Sequence, residues 1–284
     1  MKFFKFPLVC VFILFLATTS YAVDDETLKQ KVVSNLEKLI ARSKIEEPSQ
    51  GIVTRSPGGS KLYRDTSNGV VLVGTNDMVG SGVVLSNRGL VVTNWHVVEK
   101  GPPVKIVFKQ AIRQDKISLK KEDIFTAKVL KTDPVRDLAL LQIVSFPRDL
   151  TVIKLGSMLQ VAIGQDVFAI SHPEGLLWSY TEGVVSQIRP NYPLKTESGT
   201  IHRATYIQTQ AVASQGSSGG ALFNYEGHLI GILVATLGPG LNFAVAVNEV
   251  QNFIVTLPKT FRVNSISNFF CYFRHFVLFK IMVF

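Results

Sequence analysis

Cysteine is almost absent from this sequence of 284 residues, which contains only Cys10 and Cys271. Cys10 lies in an N-terminal segment that we expect to be removed, so no intrachain disulfide is expected. The sequence has no Cys-x-x-Cys pair and no His/Cys cluster with zinc-ligand spacing, so we predict no metal and no cofactor. The fold must then be held together by its hydrophobic core.

Charged residues are also sparse, since Asp, Glu, Lys and Arg make up 18% of the chain against 46% hydrophobic residues. This composition argues against extensive disorder away from the ends and allows a sizeable core. The length suits one large domain or two small ones. The net charge is +9 and falls to +7 without residues 1–22. This mild basic excess either favours weak contact with an anionic membrane surface or serves solubility.

Residues 1–22 have the pattern of a secretory signal peptide. Lys2 and Lys5 give a positive start, and residues 6–17 are apolar but too few to span a bilayer. Small residues then precede an expected cleavage point after Ala22. We therefore expect a periplasmic or secreted protein, and an uncleaved N-terminal anchor is the alternative.

Two segments precede the main domain. Residues 23–46 are predicted to form an amphipathic helix, which either packs on the domain or acts as an oligomerisation or substrate-gating arm. Residues 47–68 contain several Pro and Gly and are predicted to be a linker. The apolar face of the helix contains Leu28, Val32, Leu36, Leu39 and Ile40.

Residues 69–258 consist of short apolar or alternating runs separated by glycine-rich turns, followed by a helical pattern. These runs predict an all-β protein, and their number fits two small antiparallel barrels with a junction near residues 147–160. The basic stretch, residues 104–123, forms either a cationic face or a solvated insertion loop. Because Phe108 is the single aromatic residue among its charges, we expect no specific nucleic acid partner. Its regularly spaced basic residues are Lys105, Lys109, Arg113, Lys116 and Lys120.

The stretch SQGSSGGALFN, residues 214–224, places two adjacent serines among glycines. A serine hydroxyl becomes a useful nucleophile only with a neighbouring base, a group that orients the base, and donors for the oxyanion. We predict Ser218 rather than Ser217 as the nucleophile, because Gly216 then lies two positions before it. The predicted oxyanion hole is formed by the backbone amides of Gly216, Ser217 and Ser218.

The base is predicted to be His96, which follows an apolar strand that would hold the imidazole at a barrel rim. The alternatives have less suitable settings: His172 and His228 in turn-like stretches, His202 as a surface residue, and His275 in the tail.

The orienting acid is predicted to be Asp137, which begins an alternating strand and can be buried there. Asp133 precedes Pro134 and looks like a turn residue. The sequence therefore predicts a catalytic triad of His96, Asp137 and Ser218 in a cleft between the two barrels.

The motifs GSGVVLSNRGLVVTNWHVV, DLALLQI, IQTQAVASQGSSGGALFN and LNFAVAV resemble those of trypsin-like serine proteases of the bacterial HtrA/Deg type. The resemblance covers about residues 69–255. It implies two six-stranded antiparallel barrels, endopeptidase activity on polypeptides such as misfolded envelope proteins, and a homo-oligomer such as a trimer. A catalytically weak chaperone or binding module on the same fold is the alternative.

The sequence also departs from the family pattern, at Trp95, Gln210, Gln215 and Ser217. No PDZ domain is expected, because residues 259–284 are too few to form one. This Phe-rich tail lies on a membrane surface, packs on the barrels, or is the end of a truncated reading frame.

The resemblance further implies an uncharged pocket for the residue before the cut. We expect Val, Ala or Leu there, with Leu233 and Phe243 limiting the size of the pocket. The pocket residues are Val212, Ala213, Leu233, Val234, Asn242 and Phe243.

Overall fold

The computed structural model describes residues 25–42, 57–109, 123–147, 149–196, 199–238 and 240–255. The predicted signal segment, most of the basic stretch and the Phe-rich tail lie outside these residues. Among the described helices, none is both long and apolar enough to cross a membrane.

The first half of the domain is a closed barrel of six antiparallel strands. The strands follow the order β1-β2-β3-β6-β5-β4, and β4 pairs with β1 to close the barrel. Their bounds are β1 Val70–Gly74, β2 Val79–Val84, β3 Leu90–Thr93, β4 Val104–Val107, β5 Ile124–Asp133 and β6 Leu138–Ile143.

The second half is another closed barrel of six antiparallel strands, in the order β10-β11-β12-β9-β8-β7. The two barrels confirm the predicted fold class. The strand bounds are β7 Asp166–Ser171, β8 Ser179–Lys195, β9 Ile201–Thr209, β10 Ala221–Phe223, β11 Leu229–Thr236 and β12 Asn242–Ala246.

Burial on both faces explains the continuous apolar runs of several strands. In β1, Val71 and Val73 pack in a cluster that contains only first-barrel residues. The alternate residues, Val70 and Leu72, belong to a larger cluster that also contains second-barrel side chains such as Phe168. Because successive side chains of a strand point to opposite faces, one strand contributes to both clusters. The shared cluster joins the two barrels.

Within the described residues, four α-helices accompany the barrels. They are α1 Asp25–Arg42, α2 Pro57–Thr66, α3 Trp95–Val98 and α4 Val247–Val255. Helix α1 lies within the predicted amphipathic segment, and its Val32 and Leu36 are buried in the cluster shared by the barrels. This packing matches the alternative in which the helix lies on the domain.

Helix α2 corrects the linker prediction for its part of residues 47–68. Pro57 opens the helix, where its missing N–H costs no helical hydrogen bond. Leu62 and Tyr63 are buried, and the Tyr63 hydroxyl donates to the Trp178 carbonyl oxygen at 3.0 Å. The helix is therefore held by tertiary contacts that the Pro- and Gly-rich sequence does not reveal.

The first two lysines of the basic stretch do not form an exposed cationic face. Lys105 is buried in β4, and its Nζ donates to Thr126 Oγ1 at 2.9 Å. The Lys109 Nζ donates to Ser67 Oγ at 3.0 Å and lies 4.2 Å from the Tyr63 ring centroid. Both ammonium groups thus bind within the domain, and residues 110–122 lie outside the described part of the chain.

Candidate active site

His96 lies in α3, a single helical turn directly after β3. Strand β3 pairs with β6 through Thr93 and Ala139, so the chain leaves β3 beside the point where it enters β6. The side-chain amide of Asn94 bridges the two segments by donating to the Asp137 carbonyl oxygen at 2.9 Å. Strand pairing therefore brings residues 41 positions apart into contact.

Asp137 is completely buried and holds His96 at two points. Its Oδ1 accepts a hydrogen bond from the His96 backbone N–H at 2.9 Å, and its Oδ2 lies 2.7 Å from His96 Nδ1. Because a carboxylate oxygen facing an imidazole accepts a hydrogen bond from it, Nδ1 carries the proton, and in the neutral imidazole Nε2 is then the acceptor. The backbone φ of Asp137 is +56°, a conformation that Asp tolerates better than most residues. Asp133 instead pairs with Arg136.

Ser218 lies in the loop between β9 and β10, residues 210–220, which we call the serine loop. Its carbonyl oxygen accepts from the Ser81 N–H of β2 at 2.7 Å. A Cβ at Gly80 would lie 2.9 Å from the Val97 side chain and 3.0 Å from this same oxygen. Gly80 thus lies between the Val97 side chain of α3 and the Ser218 carbonyl oxygen, and a larger residue at position 80 would push the two apart.

Ser217 is engaged inside the serine loop. Its side chain is buried, and its Oγ accepts from the Ser214 N–H at 3.2 Å and from Ser171 Oγ at 3.1 Å. Its own N–H donates to the Ser214 carbonyl oxygen at 2.9 Å. The Ser217 amide is therefore occupied, which removes it from the three predicted oxyanion donors.

The other two predicted donors have a different setting. Among the described residues, neither the Gly216 N–H nor the Ser218 N–H donates to a backbone carbonyl. Gly216 has φ +91° and Gly219 has φ +83°, so the loop uses conformations that residues with a Cβ rarely adopt.

The predicted pocket residues do not all face one cavity. Leu233 and Ala213 pack in the cluster that fills the second barrel, whereas Phe243 belongs to the cluster shared by both barrels and contacts Tyr206 edge-on. Leu233 and Phe243 therefore cannot narrow one pocket together, because they lie on opposite faces of the β11–β12 sheet. Val212 is exposed.

The remaining two pocket residues, Val234 and Asn242, are buried. The Val234 carbonyl oxygen lies 3.5 Å from Ser218 Oγ, so this end of β11 lies next to the serine.

His202 is buried rather than on the surface, which corrects the sequence-based expectation. Its Nδ1 lies 2.7 Å from the Pro134 carbonyl oxygen, and its ring meets the Trp95 ring edge-on at 6.1 Å between centroids. Strand β9 therefore contacts both the residue before His96 and the loop that carries Asp137.

His172 is also buried, and sequence reasoning missed its contact with Ser81 of the first barrel. The His172 Nδ1 lies 2.8 Å from Ser81 Oγ. Burial lowers the pKa of His172 to about 3, so its imidazole is neutral near pH 7. His228 lies in a turn, 3.1 Å from Glu226.

Within the described ranges, no group of three or more His, Cys, Asp or Glu side chains is placed to hold a metal ion. The chemistry available at the site is that of a serine, an oriented imidazole and backbone amides.

Comparisons with known proteins identify the family of this chain. A family model described as "trypsin-like peptidase domain" matches residues 80–232, a segment that contains His96, Asp137 and Ser218. The periplasmic serine endoprotease DegP of Salmonella typhimurium is 36% identical over 180 residues, which cover 61% of this chain and 34% of DegP. The serine endoprotease DegS of Haemophilus influenzae is 30% identical over 192 residues, covering 65% of this chain and 52% of DegS.

The crystal structure of Deg5 matches with a TM-score of 0.58 and 29% identity, covering 72% of this chain and 95% of Deg5. The chain spans about a third of the length of the DegP relatives it matches. The chain belongs to the trypsin-like peptidase domain family, and within it resembles the HtrA/Deg-type serine proteases.

Proposed function

We propose that this protein is a serine endopeptidase that cleaves polypeptides through His96, Asp137 and Ser218. The observation that carries the proposal is the buried Asp137 carboxylate, which accepts from both the backbone N–H and the Nδ1 of His96. This arrangement fixes the tautomer and the orientation of the imidazole, as a general base requires.

The reaction is acyl transfer in two steps. The bare Nε2 of His96 takes the Ser218 proton as Oγ attacks the substrate carbonyl carbon, and the amides of Gly216 and Ser218 stabilise the resulting oxyanion. His96 then gives the proton to the leaving amine, which breaks the peptide bond and leaves an acyl ester on Ser218. Water repeats the sequence and releases the second product.

Unfolded polypeptides in the periplasm are the proposed substrates. The names of the DegP relatives describe periplasmic endoproteases, and the positively charged, apolar start of this sequence fits export with cleavage near Ala22. An extended chain can enter a cleft that a folded one cannot. Homo-oligomerisation, as a trimer, is proposed by analogy with the family.

Hydrolysis of casein by the mature protein from Val23 tests the proposal. Ser218→Ala is expected to lower turnover by about 10⁴- to 10⁶-fold, because it removes the nucleophile. Ser217→Ala is the matched control, since its hydroxyl bonds within the loop, and it should lose far less. If Ser217→Ala abolishes casein hydrolysis while Ser218→Ala retains it, the assignment of Ser218 as the nucleophile is wrong.

A further inference from the structure

A buried histidine outside the proposed triad connects the first barrel to the serine loop. His172 follows β7, and its backbone N–H donates to Ser81 Oγ at 3.2 Å while its Nδ1 lies 2.8 Å from the same oxygen. Ser81, on β2, donates its hydroxyl proton to the Gly216 carbonyl oxygen at 3.0 Å. The three residues form one continuous chain of hydrogen bonds, and His172 and Ser81 are 91 positions apart.

The hydroxyl proton of Ser81 determines the tautomer of His172. A carbonyl oxygen cannot donate, so the Ser81 proton goes to Gly216 and the Nδ1 of His172 must donate to Ser81. The His172 Nε2 is then a buried acceptor with no partner among the described residues. The opposite tautomer would bury an unpaired N–H and also leave the Gly216 carbonyl without this donor, which costs more.

The segment that follows His172 also holds the Gln215–Gly216 peptide group. The Glu174 N–H, two residues after His172, donates to the Gln215 carbonyl oxygen at 2.7 Å. In a trans peptide the C=O and N–H bonds point in opposite directions, so this contact also fixes the direction of the Gly216 N–H. A Cβ at Gly216 would lie 2.4 Å from the His172 carbonyl oxygen, so the two backbones are in direct contact.

We propose that His172 is a positioning residue that, through Ser81, holds the Gly216 carbonyl and thereby fixes the Gly216–Ser217 peptide, which links the two oxyanion donors, the amides of Gly216 and Ser218. This proposal rests on the proposed function, in which Gly216 is an oxyanion donor. Both peptide groups that flank Gly216 are held, one by Ser81 and the other by Glu174. Without the Ser81 contact the Gly216–Ser217 peptide could rotate, which would change the relative position of the Gly216 and Ser218 amides on either side of it.

The surroundings of His172 fix the orientation and the protonation state of its imidazole. The imidazole meets the Trp178 ring edge-on at 4.9 Å between centroids, and Trp178 is itself fixed by a bond from Nε1 to the Val70 carbonyl oxygen at 2.8 Å. Burial lowers the pKa of His172 to about 3, so the imidazole is neutral near pH 7 and keeps the tautomer that the Ser81 contact requires.

Steady-state hydrolysis of a fluorogenic peptide, taken from a casein cleavage site, tests the proposal in the mature protein. His172→Leu and Ser81→Ala are expected to lower kcat by about 100-fold, as loss of an oxyanion donor does, with little change in KM. His172→Asn should recover most of the loss, because an Asn amide can donate to Ser81 from close to the Nδ1 position. His228→Leu is the matched control and should behave as wild type, since its side chain pairs with Glu226 of the same turn.

The labelling rate of Ser218 by a fluorophosphonate should fall in parallel with kcat. Wild-type kcat in Ser81→Ala and His172→Leu would overturn the proposal, and so would a His172→Asn enzyme as slow as His172→Leu. Ser81→Ala decides the matter where His172→Leu does not fold. If the proposed function itself is wrong, the wild-type protein fails to hydrolyse the peptide, or Ser218→Ala hydrolyses it equally well.

Discussion

Asp137 shows how much of the site depends on a single residue. Its backbone occupies the left-handed region at φ +56°, and its side chain is fully buried. Both carboxylate oxygens accept hydrogen bonds from His96. Asn is the one close replacement for Asp that tolerates both the backbone conformation and the volume. Comparing Asp137 with an Asn variant therefore tests the acceptor oxygen that faces His96 Nδ1 without unfolding the protein.

Asp137→Asn is expected to reduce turnover by about 10⁴-fold while the protein remains folded. The Asn amide nitrogen would donate to His96 Nδ1, which places the imidazole proton on Nε2 and prevents Nε2 from accepting the Ser218 proton. Turnover on casein and a thermal unfolding curve measure both parts. An Asn variant with turnover near wild type would show that Asp137 does not set the tautomer.

At the scale of single residues, the sequence allows a prediction where a local pattern carries the chemistry. The strand before His96 and the glycines around Ser218 are visible in the sequence, and Asp137 could be chosen over Asp133 because it opens a buried strand. Ser81 and His172 left no such signal. Their contact joins two barrels, and a single sequence contains no record of which distant residues meet.

At the scale of elements, the loop between β5 and β6 is clamped by the second barrel and α4. The Arg203 N–H donates to the Val135 carbonyl oxygen at 2.7 Å. Arg136 donates to Glu249 of α4 at 2.8 Å, and Glu249 also accepts from the Thr205 N–H at 3.0 Å. The loop that carries Asp137 is thus positioned by elements that lie more than 60 residues later in the chain.

Glu249→Gln should destabilise the protein by about 1–2 kcal/mol at pH 7, because charge-assisted hydrogen bonds become neutral ones. Burial alone would raise the pKa of Glu249, but the bonds from Arg136 and Thr205 outweigh it and lower the pKa below its ordinary value. The stabilisation is therefore complete above the unfolded pKa of about 4.3 and is lost as the pH falls through the folded value.

Urea unfolding at pH 7 and at pH 3.5 measures this effect. The difference in the free energy of unfolding between wild type and Glu249→Gln should be smaller at the lower pH. Glu226→Gln provides the control, because Glu226 is exposed and its pairing with His228 is a surface contact. A difference in unfolding free energy that stays constant with pH would mean that the charge of Glu249 does not stabilise the loop between β5 and β6.

Elements were predictable where hydrophobic periodicity determines them. Helix α1 and the strands follow directly from apolar spacing. Helix α2 did not, because Pro57, Gly58 and Gly59 are typical of a linker and its stability comes from burying Leu62 and Tyr63. Tertiary packing there overrides weak local propensity.

At the scale of the whole molecule, the proposed cleavage specificity depends on the pocket that we predict next to Ser218. The predicted pocket positions carry no charge, and Val212 lies six residues before the serine. Burying a Lys or Arg side chain there without a counter-charge would cost several kcal/mol, about the penalty of an unpaired ion. An apolar side chain instead gains about 1.5–3 kcal/mol on burial.

Cleavage sites in denatured casein, mapped by mass spectrometry, should therefore fall mainly after apolar residues. Because Leu233 and Phe243 lie on opposite faces of the sheet, they do not jointly set an upper size limit. A majority of cuts after Lys or Arg would contradict the assignment of the pocket.

The central claim is that Ser218, activated by His96 and Asp137, is the nucleophile of a peptidase. Labelling the mature protein with a fluorophosphonate and mapping the modified residue by mass spectrometry tests this claim most directly. Modification of Ser218 alone is expected, and Asp137→Asn should lower its labelling rate strongly. Labelling at Ser217 or at another residue, or no labelling of a protein that hydrolyses casein, would contradict the account.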